Sequence, residues 1–338
     1  MKRLIGLISL VTLLAAIAGA SAATLQHQVR QRGVVSGLPP AELPPRPADL
    51  RAANVDLTSY DPATLATVFD QLRGFGWLRV PVYWDRIEPR PGELDWTATD
   101  ATLQLAAEHG HRLLLLLIGA PDWVALSDAE VHSPVGDVNA FARFAGAVAA
   151  RYGSVVDAYQ VWDEPNIRVG WRVEPSASEY AALLASAYPA LKAADPTATV
   201  VAAALAPTLE TGPENVSDLL YLQQLYDLDA DRYFDAAAGK PYGFDEGFDN
   251  RDADPMLLNV ARFTLLREVM ERNGDAAKLL WGGNFGWNTL PNSPWRTVST
   301  DAQVADTLGL FKRAETEWLW AGPLALESYQ PAFAAQGR

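Results

Sequence analysis

The chain of 338 residues contains no cysteine. That absence excludes a disulfide framework, a thiolate nucleophile, a cysteine-ligated zinc and a lipidated cysteine. Histidine is scarce as well, and only His27, His109, His111 and His132 are available for imidazole chemistry. Basic residues number 27 against 41 acidic ones, a formal net charge of −14. A phosphate-binding face needs clustered Lys and Arg, and none is visible, so nucleic acid is not expected as a partner. No Gly-x-Gly-x-x-Gly or Walker loop follows a candidate strand, which counts against an open dinucleotide-binding sheet. No cofactor and no metal site is implied.

Long uninterrupted apolar runs are absent too, with one exception. Lys2 and Arg3 precede a stretch from Leu4 to Thr24, and Ala20-Ser21-Ala22 reads as a small-residue cleavage site. Residues 1–24 are therefore either a signal peptide or an uncleaved membrane anchor spanning 4–23, with the N-terminus held on the cytoplasmic side. Both readings expect export, to a periplasmic or extracellular face. Residues 25–50 contain Pro39-Pro40, Pro44-Pro45 and Pro47 and read as a Pro-rich, semi-rigid linker.

What the chain does have is alternation. Across 51–338, short apolar runs alternate with longer amphipathic stretches, the pattern of strand-helix units around a parallel sheet. The strand candidates are 53–57, 77–82, 113–118, 158–162, 199–205, 233–238, 279–284 and 323–328. A helix is expected over 138–150, and Ser176 with Glu179 forms a capping-box signature ahead of Tyr180. Eight repeats predict an α/β fold, a (β/α)8 TIM barrel, with the helix after the last strand either missing or supplied by something else.

In such a barrel, chemistry gathers where strands end. The second strand brings Arg79 and Trp84, the third brings Trp123, and the fourth runs into Trp162-Asp163-Glu164-Pro165-Asn166. After the sixth come Lys240-Pro241-Tyr242, and the seventh reads Trp281-Gly282-Gly283-Asn284-Phe285-Gly286-Trp287. The chain has 11 Trp where roughly four or five are ordinary for its length, which points to stacking surfaces. Trp123, Trp162, Trp171, Trp287 and Trp295 lie near strand ends, and core packing is the competing explanation for each.

On these strings the chain resembles the clan A glycoside hydrolases, family 39 and family 5 style barrels, over about residues 53–331. The resemblance implies that Glu164 is the acid/base, that Arg79 steadies the nucleophile and that Tyr242 is the site's aromatic hydroxyl. It places Asp163, Lys240, Trp123, Trp162 and Trp287 along the substrate. It also places Asn284 where those enzymes carry the nucleophilic Glu, Asp163 where they carry an Asn that donates to the sugar 2-hydroxyl, and Lys240 where they carry His.

An amide cannot form a glycosyl-enzyme ester, and loss of a covalent nucleophile costs about 10⁴–10⁶ in rate, about 5–8 kcal/mol. Retaining hydrolysis is therefore expected to be impaired. Replacement carboxylates are Glu327, near the end of strand eight, or the run Asp245, Glu246, Asp249, Asp252 and Asp254, whose spacing does not fit an EF-hand and which reads as a solvated face. Two function classes follow. One is an exported barrel acting on or binding a glycan. The other is a non-catalytic, membrane-anchored accessory subunit whose partners are the other subunits of a membrane assembly.

Overall fold

The computed structural model describes residues 2–35, 43, 45–124, 135–172 and 174–328, with side chains from Thr12 onward; His132 and the chain beyond Ser328 lie outside them. Helix α1 (Lys2–Gln31) precedes β1 (Arg51–Asn54), α2 (Pro62–Leu72) and β2 (Trp77–Tyr83). The short α3 (Trp84–Ile87) and α4 (Thr97–Glu108) lead to β3 (Arg112–Ile118), α5 (Val138–Tyr152) and β4 (Ala158–Val161). After α6 (Arg168–Trp171) and α7 (Ala177–Ala194) come β5 (Thr199–Leu205), α8 (Asp218–Asp227) and β6 (Ala236–Gly239). The remaining elements are α9 (Arg262–Arg272), β7 (Leu279–Phe285), α10 (Thr300–Glu317) and β8 (Ala321–Leu326).

The eight strands close in sequence order, with every neighbouring pair parallel and β8 returning to β1. This is the expected (β/α)8 barrel, and no helix follows β8 among the described residues. Strand boundaries differ from expectation mainly at β1, β6 and β8, which start earlier or later by two or three residues. In the sixth case Tyr233 closes a 3-10 turn instead of opening the strand.

The inner cluster of the barrel is built around two tryptophans, with Leu114, Val201 and Leu279 beside them. Trp77 and Trp281 meet edge to face with centroids 5.2 Å apart. Their bulk is accommodated by small partners, since Ala158, Ala204, Ala236 and Ala238 share the same buried cluster. Gly322 is part of this fit, because a Cβ there would stand 2.4 Å from the Trp281 ring. The outer core lies between strands and helices, where α5 buries Phe141, Phe144, Ala145 and Val148. Only half of the capping box forms: Ser176 accepts from the Glu179 N–H, but the Glu179 carboxylate accepts from Trp171 Nε1 instead.

Helix α1 continues past Thr24 to Gln31, since no proline interrupts the chain before Pro39. Among the described residues no helix is long and apolar enough to cross a membrane, and part of the 4–23 span has side chains outside the described set. Directly after α1 the chain docks. Arg32 pairs with Glu268 at 2.6 Å, the Val35 N–H donates to Glu317 O, and Gly33 O accepts from Trp320 Nε1. Further on, the Arg46 guanidinium donates to the carbonyls of Ala314, Glu315 and Trp318, closing the C-terminus of α10.

Candidate functional site

Strand β4 ends abruptly, and the next three residues set the site. Trp162 and Glu164 both take left-handed backbone, at φ 67° and 50°. Non-glycine residues rarely adopt that region, and such strain concentrates where function holds a side chain in place. Asp163 keeps a single parallel bridge to Ala204 of β5, and the Glu164 N–H donates to Ala204 O at 3.1 Å. Gly170 braces the turn from the other side, where a Cβ would sit 2.3 Å from Glu164 O. Asn166, fully buried, pins the loop by donating to Ala206 O and Val216 O and accepting from the Ala206 N–H.

Arg79, from the middle of β2, is the hub of this end of the barrel. Its Nε donates to Gln160 Oε1 at 2.9 Å, and Nη1 donates to Asn54 Oδ1 at 2.6 Å and Asn284 Oδ1 at 3.4 Å. Nη2 lies 2.9 Å from Asp163 Oδ1 as a charge contact without hydrogen-bond geometry. Lys240, from the end of β6, is almost fully buried. Its Nζ donates to Asp163 Oδ2 at 3.0 Å and to Glu164 Oε1 at 2.6 Å. Burial works against ionisation of Asp163, but the charges of Arg79 and Lys240 outweigh it and hold the carboxyl below the usual carboxylate range.

Tyr242, two residues beyond Lys240, donates its hydroxyl to Glu327 just past β8. Burial and the neighbouring Glu327 carboxylate, with Glu164 and Asp163 behind it, push the phenol far above its ordinary value, so it stays a proton donor. Asn284 closes the ring of contacts, its Nδ2 reaching Glu327 O at 3.4 Å. Residues 120 apart in sequence, Glu164 and Asn284, thus share one end of the barrel with Arg79, Asp163, Lys240 and Tyr242.

The expected aromatic platform is distributed differently. Trp162 is 2% exposed and packs edge to face on Phe141 and Trp171; Trp287 is 5% exposed with its Nε1 bound to Glu246 O. Both rings are buried, and Trp162 also lines the cavity beside Glu164. Trp123, half-buried, donates to Glu88 O, and Glu88 in turn accepts from Trp84 Nε1 and the Gly92 N–H, so this trio braces the loop after β2. Trp295, with 44% exposure, lies 4.7 Å from Phe244 and is the tryptophan with an open face near the strand ends.

A cavity of about 400 Å³ opens beside Glu164, lined also by Tyr83, Arg86, Ile118, Trp162, Asp163 and Arg172; Lys240, Tyr242, Asn284 and Glu327 lie outside this lining. A larger groove of about 570 Å³ lies between α5 and α7 on the helix layer and contains none of these groups. Among the described residues no group of three or more His, Asp or Glu is arranged to hold a metal. Asp245 and Asp254 of the acidic run instead accept from the N–H groups of Arg296 and Met256.

No protein-family profile and no curated protein matches the sequence. Solved structures do. A family 39 glycoside hydrolase from the gut symbiont Bacteroides cellulosilyticus WH2 superposes with TM-score 0.63 at 16% identity, covering 85% of this chain and 57% of its own. A glucosidase from Croceicoccus marinus gives 0.61 at 14%, covering 85% and 61%. The intracellular xylanase TsXylA from Thermoanaerobacterium saccharolyticum gives 0.54 at 12%, covering 83% and 86%. The fold is that of glycoside hydrolase barrels. The chain spans about three fifths of the length of the first two.

Sequence reasoning overlooked Gln160 and Asn54, which orient Arg79. A signal was present: each is a polar side chain in or at the end of a four-residue strand that is otherwise mostly apolar.

Proposed function

We propose that this protein is an exported barrel that binds a glycan in the cavity beside Glu164, with retaining hydrolysis impaired. The observation that carries the reading is the Lys240 bridge, 3.0 Å to Asp163 and 2.6 Å to Glu164. A general acid must offer a proton to the leaving oxygen. The Glu164 oxygen nearest Lys240 is instead engaged by a buried ammonium. By the family resemblance, Asn284 offers an amide where retaining enzymes carry their nucleophilic carboxylate, which in such enzymes stands about 5–5.5 Å from the acid. Positive and negative groups balance in this arrangement, Arg79 and Lys240 against Asp163 and Glu164. The glycoside hydrolase barrels it resembles in fold, together with polar groups converging on an open cavity, support a sugar as the occupant.

Calorimetric titration with xylo- and gluco-oligosaccharides tests the binding. The expected result is saturable binding with a Kd between about 1 μM and 1 mM. A 2-deoxy-2-fluoro glycoside tests the impairment, since it accumulates as an ester on an enzymic nucleophile. Mass spectrometry should find no adduct at Asn284 or elsewhere. No binding across the panel would overturn the glycan reading, and a stoichiometric adduct would overturn the impairment.

A further inference from the structure

The carboxylates of this site differ in what occupies them. Asp163 is held by Arg79 and Lys240, and Glu164 by Lys240. Glu327 is exposed, and among the described residues its side chain has one partner, the Tyr242 hydroxyl. Its backbone is fixed on both sides: the N–H donates to Phe285 O at 2.8 Å, and the carbonyl receives Asn284 Nδ2 at 3.4 Å. The β7–β8 register shifts between Gly282 and Phe285, so that Leu326 pairs with Phe285 and Glu327 follows directly beside Asn284. The backbone of Glu327 is thus anchored by β7, and its carboxylate meets the Tyr242 hydroxyl from the loop after β6, beside the Asn284 amide. Tyr242 is hydrogen-bonded to this carboxylate and lies within the field of Glu164.

We infer that Glu327 is the general base of this site, taking a proton from a water that attacks the anomeric carbon. The inference rests on the reading of the cavity as a glycan cleft. With a 2,4-dinitrophenyl β-glycoside, the water oxygen bonds to the anomeric carbon while the bond to the aryl oxygen breaks. The electron pair leaves on dinitrophenolate, and the water proton passes to Glu327. The leaving group needs no proton, so the step does not draw on the Glu164 held by Lys240. Attack from the face opposite the departing group inverts the anomeric configuration.

The test uses the full chain with 2,4-dinitrophenyl β-D-glucoside, galactoside, xyloside and glucuronide, and with the corresponding free sugars for calorimetry. Wild type should release dinitrophenolate faster than buffer and yield the α-anomer first by proton NMR. Glu327→Gln, an exposed isosteric change, should lower that rate by about 10²–10⁴. Glu327→Ala with azide should recover release and form the α-glycosyl azide. A β-anomeric product, unchanged turnover in Glu327→Gln, or no turnover by wild type would each overturn the role of Glu327. Sugar binding without turnover removes Glu327 as a base and leaves the glycan cleft standing, whereas absence of both removes the two together.

Discussion

Lys240 Nζ lies 2.6 Å from Glu164 Oε1, an ion pair between the end of β6 and the strained turn after β4. A lysine with its side chain 3% exposed has lost nearly all its water and relies on these carboxylates. Breaking a buried pair by removing one partner typically costs about 3–5 kcal/mol, because the other charges are left uncompensated. Lys240→Met should therefore lower unfolding stability by about 3 kcal/mol in urea denaturation at neutral pH. The sign with pH follows from Asp163. Its carboxyl is held below the usual range in the fold, so its stabilising share is full above about pH 4 and lost as pH falls further. The gap between wild type and variant should narrow in acid, and a gap independent of pH would contradict the ion-pair account.

His111 gives a second pH dependence with a different origin. The ring is buried, which pushes its pKa below the ordinary value; the Phe75 carbonyl 2.9 Å from Nδ1 offsets this in part. The fold therefore favours neutral imidazole, and the unfolded chain binds the proton more readily. Stability is complete above the unfolded pKa of about 6.5 and falls as pH drops through it. Melting temperatures should decrease between about pH 7.5 and 5.5, and the decrease should shrink in His111→Gln. An equal decrease in the variant would place the titration elsewhere.

The barrel was legible in sequence because each strand had to be apolar on both faces and each helix on one, which leaves strong periodic marks. The convergence of Arg79, Asp163, Glu164, Lys240, Tyr242 and Asn284 was legible for a related reason: topology sends every strand end to the same face. Pairing inside the site was not. Whether Lys240 turns toward Glu164 depends on side-chain packing and on the left-handed turn at Trp162 and Glu164, neither of which has a periodic signature. Exposure of tryptophans was equally hidden, since Trp162 and Trp295 both sit in loops and differ only in what packs over them. The docking of Arg32 and Arg46 within a proline-rich segment depends on long-range partners in α9 and α10 that local composition does not reveal.

That docking makes a prediction about truncation. Contacts from the N-terminal segment to the barrel include Arg251 donating to Arg30 O, Arg32 pairing with Glu268, and the Val35 N–H donating to Glu317 O. Removal of residues 2–24 should leave the melting temperature of the barrel nearly unchanged. Removal of 2–35 also deletes the partner of Trp320 Nε1 and the Arg32 ion pair, and should destabilise by about 1–3 kcal/mol, the cost of leaving buried polar groups unpaired. Membrane fractionation of the same two chains tests attachment. If residues 4–23 stay uncleaved, they should be needed for retention through a high-salt wash, because apolar insertion is insensitive to ionic strength. A mature N-terminus at Ala23 would replace the anchor with a cleaved leader.

Reconstructing the chemistry is the most demanding test of how this site is wired. Asn284→Glu introduces a carboxylate beside Arg79, whose Nη1 already lies 3.4 Å from the Asn284 oxygen, so the new charge meets a cation. On its own, however, it leaves Glu164 bound to Lys240, and the acid step stays blocked for sugars with poor leaving groups. Asn284→Glu should therefore accelerate dinitrophenyl glycosides far more than alkyl glycosides or disaccharides. Adding Lys240→His and Asp163→Asn releases Glu164 from the ammonium and, on the glycan reading, supplies an amide donor for the sugar 2-hydroxyl. The triple variant should gain a further factor of about 10²–10⁴ on the natural-type substrates, the usual contribution of a positioned general acid. Its product should retain configuration, and Glu164→Gln in that background should abolish the gain on disaccharides while sparing dinitrophenyl substrates in the glycosylation step. A single Asn284→Glu variant that already cleaves disaccharides as fast as the triple variant would show that the Lys240 bridge does not restrain Glu164.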